Sequence, residues 1–457
     1  MADEGQVSPL QPRSPGSTDE VAGATLNPDA AVFHPRQEER STTNKMNLEK
    51  PEPSLVFGGG GHFLSKYGSQ GQSDRATGKS TLRKRQPVAT ESGQPDRVNV
   101  QLNQLIVHAG MPERILQIVD ENFDQLNVVN LITALHRLAS ISLASRKAAL
   151  RRELRFRRLV TRLSDTVRKA EPSTLKPQDL SNAVWALTKL GIQNAILYNL
   201  LADRILLRMD DFKPVNLSMT LWAFARSGIY DEKLLAAAST EVKKQLDDFE
   251  PQQVANTAWA MAKCGYVDQE LFERTAVHAM SALDTYQPMN FSMLVYAFAL
   301  AHLPHQELFE EVAKRCTVQA LKHSFTAPNV VSNLALAYSE AQVNVPELYE
   351  TVAQVSIHVI HEFKPKQIVT LSESFSKAQV NHDALFRCLS KNVANNIEDY
   401  TKEELQDLFK AFEALGVSKS EIQRAVDGQE NGGSAYTLRT FLLVVMLIAL
   451  TFIVWRI

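Results

Sequence analysis

Through the middle of the chain, apolar residues recur at helical spacing, and the pattern itself repeats every 37 residues. Counting from Pro214 as zero, Leu217, Leu221 and Phe224 fall on one stripe; counting from Pro251, so do Val254, Met261 and Cys264. Positions three, six, seven, ten and thirteen form this stripe, which marks an amphipathic helix with one face turned to a core. A second amphipathic stretch follows in each unit, such as residues 197–207. Two helices per unit are therefore expected.

Punctuation residues keep the same period. Pro177, Pro214, Pro251 and Pro288 are 37 apart; Pro328 follows after 40, Pro365 after 37, and Lys402 takes the same place after another 37. Gln125, 52 residues before Pro177, opens a matching segment, so one of the eight units carries about fifteen extra residues. Alanine recurs nine residues after each start (Ala186, Ala223, Ala260, Ala297, Ala337, Ala411), and glycine fourteen after (Gly191, Gly228, Gly265, Gly416). Proline suits the first turn of a helix, where its missing N–H would have no partner anyway. Glycine just past the last turn takes the left-handed conformation that closes one. Residues 98–428 thus read as an all-α, right-handed solenoid of about eight two-helix units, each burying its apolar face against its neighbours.

The flanks differ. Residues 1–97 hold 11 of the 19 glycines and 9 of the 19 prolines, with sparse and aperiodic apolar residues, and are expected to be a disordered arm. Gly78-Lys79-Ser80-Thr81 lacks the first glycine and the preceding strand of a phosphate-binding loop, and reads as linker. The acids among the first thirty residues argue against a conventional organellar transit peptide. At the other end, residues 429–437 read as a flexible linker. Phe441–Trp455 is apolar except for Thr451 and bracketed by Arg439 and Arg456. It would span about 23 Å as a helix, so 438–457 is expected to anchor the chain in a lipid bilayer.

The first helix of each unit also carries chemistry. Opposite its apolar stripe lie positions one, five, eight and twelve. Position five holds Asn130, Asn182, Asn256 and Asn333; position eight holds Trp185, Trp222, Trp259 and Tyr296; position twelve holds Arg137, Lys189, Arg226, Lys263 and Lys377. An amide that bonds a base edge, an aromatic face that stacks a base and a cation that neutralises a phosphate together suit single-stranded RNA, about one nucleotide per unit. The alternative is a tail-anchored scaffold that uses the same surface for an extended peptide or partner helix. A second basic feature lies at 146–169, where ten Lys and Arg face only Glu153 and Asp165. Arg151, Arg155, Arg158 and Arg162 share one helical face there, a candidate phosphate contact or a site for an acidic protein partner.

Overall charge adds little: 49 Lys and Arg against 51 Asp and Glu give a net of −2, which excludes a uniformly basic surface. From Glu171 to Glu430 the repeats are acidic, 23 cations against 33 acids, most of them in second helices and turns. Cys264, Cys316 and Cys388 fit neither a disulfide framework nor a zinc spacing. The i, i+3 pairs His302/His305 and His358/His361 lack the carboxylate motif of a metalloenzyme. No nucleophile motif stands out, so a protein without enzymatic activity, metal or cofactor is expected.

The segments 175–191 (LKPQDLSNAVWALTKLG) and 249–265 (FEPQQVANTAWAMAKCG) resemble the 37- to 38-residue repeats of octotricopeptide and heptatricopeptide proteins. These are related to the FAST-kinase and RAP-domain proteins. The resemblance spans about residues 120–428 and weakens beyond Pro328. It implies a solenoid that binds organellar transcripts, in the mitochondrion or another organelle, and assists their processing, stability or translation. No RAP domain is recognisable; the apolar C-terminal run occupies its place.

Overall fold

The computed structural model describes residues 95–321 and 327–427. The expected arm up to residue 94, the linker at 429–437 and the run Phe441–Trp455 lie outside them. Among the described residues the chain forms helices and turns without strands, and no helix is long and apolar enough to cross a membrane.

Eight first helices carry the repeat: α3 (Val128–Ile141), α6 (Pro177–Leu190), α8 (Pro214–Ser227), α10 (Pro251–Lys263), α12 (Pro288–Leu300), α14 (Pro328–Ala341), α16 (Pro365–Lys377) and α18 (Lys402–Ala414). Their partners are α5 (Leu154–Lys169), α7 (Ala195–Leu206), α9 (Glu232–Gln245), α11 (Gln269–Ser281), α13 (Gln306–Leu321), α15 (Pro346–His358), α17 (Asp383–Asn395) and a last helical segment at 420–427. Each first helix packs on the first helix of the units before and after it, and the second helices make a parallel layer of their own. Small residues at position four (Ser181, Ser218, Ala255, Ser292, Ser332) and the alanines at nine are buried in the seams between first helices. They let those helices approach closely.

Each unit is built by the same local devices. A single 3₁₀ turn precedes most of the prolines, and two residues before the helix a large apolar side chain is buried: Leu175, Phe212, Phe249, Tyr286, Phe363. Proline then occupies the first helical position. The third side chain of the helix reaches back to accept the N–H of the residue before it: Asp179 from Lys176 at 3.2 Å, Gln253 from Glu250 at 3.2 Å, Gln367 from Lys364 at 2.9 Å. This satisfies a donor that would otherwise be left open at the helix start.

Position fourteen is left-handed in seven units. Gly191, Gly228, Gly265 and Gly416 take φ of 65–71°, and where glycine is missing His302, Gln342 and Gln379 take φ of 55–57°. The next residue then donates its N–H to the carbonyl of position ten, as Ile192 to Leu187 (2.9 Å) and Val380 to Phe375 (3.0 Å), the bond pattern of a Schellman close. The position-ten side chains Leu187, Phe224, Met261, Phe298, Tyr338, Phe375 and Phe412 are all buried, each contributing about 1.5–3 kcal/mol.

At the N-terminal end the structure corrects two expectations. The first unit opens at Val128, three residues later than the Gln125 alignment: Asn127 caps the helix, and Leu126 holds the buried place of Leu175. Ahead of it stand α1 (Pro95–His108) and α2 (Pro112–Glu121), a further pair in which α1 packs on α3 as another first helix would. The basic stretch is also not one helix. A 3₁₀ turn at Ala144–Arg146 leads into α4 (Lys147–Arg152), and an extended Glu153 separates α4 from α5. Arg151 therefore does not continue the face of Arg155, Arg158 and Arg162.

A residue with a Cβ held in the left-handed region costs roughly 1–2 kcal/mol relative to one without strain. Gln342→Gly and Gln379→Gly should each raise the stability of the full chain by about 1 kcal/mol, seen as a higher urea midpoint. The reverse change Gly228→Gln should lower it, and unchanged midpoints in all three would contradict the strain argument.

Candidate nucleic-acid interface

Position eight on an isolated helix faces away from the apolar stripe, but in the array the next unit roofs it over. Trp222 is 5% exposed and Trp259 1% exposed, both wedged into the seams between first helices. Trp185 is half-buried: the His136 ring lies 5.0 Å away at 35°, and the Lys189 amine is 5.7 Å from the indole centroid. The same amine is 6.0 Å from the Trp222 ring, so Lys189 bridges two indoles. Tyr296 is half-buried as well. The expected row of open aromatic faces is a wall of packed rings.

The amide column closes in the same way. Asn256 and Asn333 are buried, and Asn182 is half-buried, accepting from Gln178 Nε2 at 3.0 Å. Asn130 belongs to a different position because of the corrected start of its helix. Its Oδ1 accepts the Asn127 N–H at 3.3 Å, and its Nδ2 donates to the Asn99 carbonyl (2.9 Å) and to Asn103 Oδ1 (3.3 Å) on α1. It ties α3 to α1 and does not face a groove.

Lys189, Arg226 and Lys263 stay at the rim, because they sit in the last turn of their helices; the corrected start of α3 moves Arg137 off position twelve, ahead of the last turn. Arg137 donates through Nη2 to the Ala109 carbonyl at 3.3 Å; Lys189 and Lys263 are half-buried and Arg226 is exposed. Farther along the row breaks: Glu340 holds position twelve in α14 and accepts from Lys377 of α16. Two cations that arrive from α4 reinforce the row at its N-terminal end. Lys147 Nζ donates to the Lys189 carbonyl at 2.8 Å, and Arg151 Nη1 to the Leu190 carbonyl at 2.8 Å. Both close carbonyls left open at the end of α6, where a cation is also favoured by the helix dipole. A Cβ on Gly191 would stand 3.1 Å from Arg151 Nη1, so this glycine serves both its left-handed conformation and the approach of the guanidinium. Burial pushes the Lys189 amine below the usual lysine range, and the charges of Lys147 and Arg226 push it further; burial and then Arg151 do the same to Lys147. Positive charge is concentrated at this junction.

On α5, part of the basic face is used internally. Arg155 pairs with Glu153. Arg158 pairs with Asp120 of α2 at 2.7 Å and lies 4.5 Å from the Phe123 ring, with Arg162 5.7 Å from the same ring. Arg152, Arg157, Arg168 and Lys169 are exposed, and their side chains make no ion pair or hydrogen bond to the described residues. Residues 95–194 hold 15 Lys and Arg against 9 acids, whereas 195–427 hold 21 against 30. Many of those acids sit in the 3₁₀ turns at the opposite ends of the first helices from the cation row: Asp210, Asp211, Asp247, Asp248, Asp284. Acids also stand at the cation-row end, with Glu340 in position twelve and Asp231 and Asp268 capping second helices, so the rim is predominantly basic only in the N-terminal units.

Three histidines serve the backbone. His302 is the left-handed residue after α12, and His305 Nδ1 accepts the Leu308 N–H at 3.2 Å as the cap of α13. His382 caps α17 in the same way at 3.1 Å. Position seventeen, held elsewhere by Asn194, Asp231 and Asp268, is a capping column that the side-chain chemistry alone concealed.

Residues 123–420, the repeat array from just before α3 to the start of the last helical segment, match the family model described as RNA-editing substrate-binding complex 6 protein. No curated protein matches the chain.

His136 stands against Trp185 at the centre of this region, and burial, then the charge of Arg137, pushes its pKa down to about 4. Its folded value lies below the unfolded one of about 6.5, so the unfolded chain binds the proton first. Its share of stability is complete above that value and lost as the pH falls from there toward about 4. Acidification from about pH 7 to about pH 5 should cost about 2 kcal/mol through this residue alone. His136→Phe should remove that part of the pH dependence in urea titrations; an equal loss in both proteins would show that His136 is not buried in its neutral form.

Proposed function

Since the chain belongs to the family of RNA-editing substrate-binding complex 6 proteins, we propose that it binds single-stranded RNA through its basic N-terminal units and works beside other protein subunits in a complex that handles RNA substrates. One observation supports this reading above the rest. Arg152 and Arg157 follow directly on Lys147 and Arg151 of the cationic junction and stay exposed, with no side-chain ion pair or hydrogen bond among the described residues, within residues 95–194, where 15 Lys and Arg outnumber 9 acids. An RNA strand gains affinity there by releasing counterions from its phosphates. The acidic units from α7 onward repel a phosphate chain and are left to protein partners. In this reading the chain catalyses nothing; it holds and presents RNA for processing, stabilisation or translation.

Binding of a single-stranded RNA to the full chain should weaken steeply with salt. Reversing Arg152, Arg157 and Arg168 to Glu should lower affinity roughly tenfold or more at moderate salt and reduce the slope of log affinity against log salt by about two to three. Absence of RNA binding by the wild-type chain at low salt would end this proposal.

The same reading places the chain on a membrane of the mitochondrion or another organelle, tethered by Phe441–Trp455. That stretch is apolar all round, close to the length a thin bilayer needs, and bracketed by arginines whose long side chains reach the interface. Alkaline extraction of membranes from cells should leave the full chain in the pellet and release a chain cut after residue 437; release of both would remove the tether.

A further inference from the structure

The junction at the end of α6 combines plentiful donors with rings that are already packed, Trp222 buried and Trp185 half-buried. Lys147 gives one of its three N–H groups to the Lys189 carbonyl, and Arg151 gives Nη1 to the Leu190 carbonyl; the other donors of both groups point away from those two bonds. Lys189 adds a third cation, its amine held between Trp185 and Trp222 at 5.7 and 6.0 Å. Fixing like charges together is unfavourable unless an anion offsets them, and the two α6 carbonyls are only partial charges. The planes a base would need are occupied: Trp185 has the His136 ring and the Lys189 amine against it, and Trp222 and Trp259 lie inside the seams. Asn256 and Asn333, which would read base edges, are buried too.

Resting on the RNA-binding reading above, we infer that Lys147, Arg151 and Lys189 form a clamp for the phosphodiester backbone of single-stranded RNA, which holds the chain with its bases outward and unread. The array is then tolerant of sequence, because every nucleotide offers the same phosphate. The strand runs from this clamp toward the exposed Arg152 and Arg157 of the adjoining basic segment. The Lys189 amine gains most from an arriving phosphate, since burial first and the neighbouring positive charges second disfavour its protonated form, and an anion favours it.

The test uses the full chain and a labelled uridine oligomer of about twelve nucleotides, followed by fluorescence anisotropy at fixed salt. Adenosine, cytidine and abasic phosphodiester oligomers of the same length serve as competitors. The clamp predicts that all of them compete within about threefold of the uridine oligomer, because a stacked base would contribute roughly fivefold or more each. The Lys147→Gln/Lys189→Gln double variant should bind roughly tenfold more weakly, and the Lys147→Arg/Lys189→Arg variant, which keeps both charges, should recover most of that loss. An abasic oligomer that competes more than about thirtyfold less well would overturn the clamp in favour of base recognition. So would a Gln double variant with an unchanged melting temperature and wild-type affinity, while the α4–α5 charge reversals still weaken binding; RNA binding itself would then stand and only its placement would fail. Should the Gln variant not fold, the abasic competition and the Arg variant decide the matter by themselves.

Discussion

How close two consecutive first helices come decides what every other residue of a unit can do. Serine or alanine at position four and alanine at nine remove the side chains that would hold the helices apart, so ridges interlock at short range. Trp222 and Trp259, large enough to line a groove, instead fill the space that the small residues leave beside them. Buried rings of this size each hold several kcal/mol of the packing energy. The tryptophan column is thus part of what fixes the distance between units. Trp185 stands nearer the N-terminal end and keeps part of its surface open.

Parallel stacking has an electrostatic consequence. All first helices in the array run in register, so their C-terminal carbonyls lie along one edge and their N-termini along the other. Cations collect in the last turns (Lys189, Arg226, Lys263), and acids in the turns that lead into the prolines. Each set complements the dipoles of the first helices. At α6 the effect is strongest, because α4 brings Lys147 and Arg151 onto the same carbonyls. A feature that begins as helix capping becomes a concentration of positive charge beyond what capping requires, around a lysine held below its usual range by burial first and then by its cationic neighbours.

Much of the architecture could be read from the chain itself, for reasons that are local. Proline at a helix start and glycine at its close depend on one residue and its own backbone, so the 37-residue unit and its two helices were visible in the spacing. The left-handed close at His302, Gln342 and Gln379 was not, because those residues reach it only when the surrounding turn compels them. The first unit was misaligned by three residues since Val-x-Asn in 128–130 imitates Val-x-Asn in 254–256, whereas the capping side chain that sets the helix start is Asn127. The break at Glu153 carries no proline or glycine and had no sequence signal. The burial of position eight is a property of two helices, and a wheel drawn for one of them assigns it to solvent. Family membership supports the association with RNA that the repeat motifs implied, through a group of editing-complex proteins and not through the octotricopeptide type.

An array of this construction divides recognition into two parts that obey different physics. Reading bases by hydrogen bonds and stacking needs amides and rings that stand free in a groove, and close packing buries Asn256, Asn333, Trp222 and Trp259 and half-buries Asn182, Trp185 and Tyr296 in this protein's first-helix layer. Attraction to phosphates needs only charge at an accessible edge, and it survives the same packing because lysine and arginine are long enough to reach past the seam. A strand held by its backbone keeps its base edges open for pairing with another strand or for reading by a second protein. The tighter the units of such an array close on one another, the more completely sequence discrimination of a strand held by its phosphates has to come from what that strand meets next.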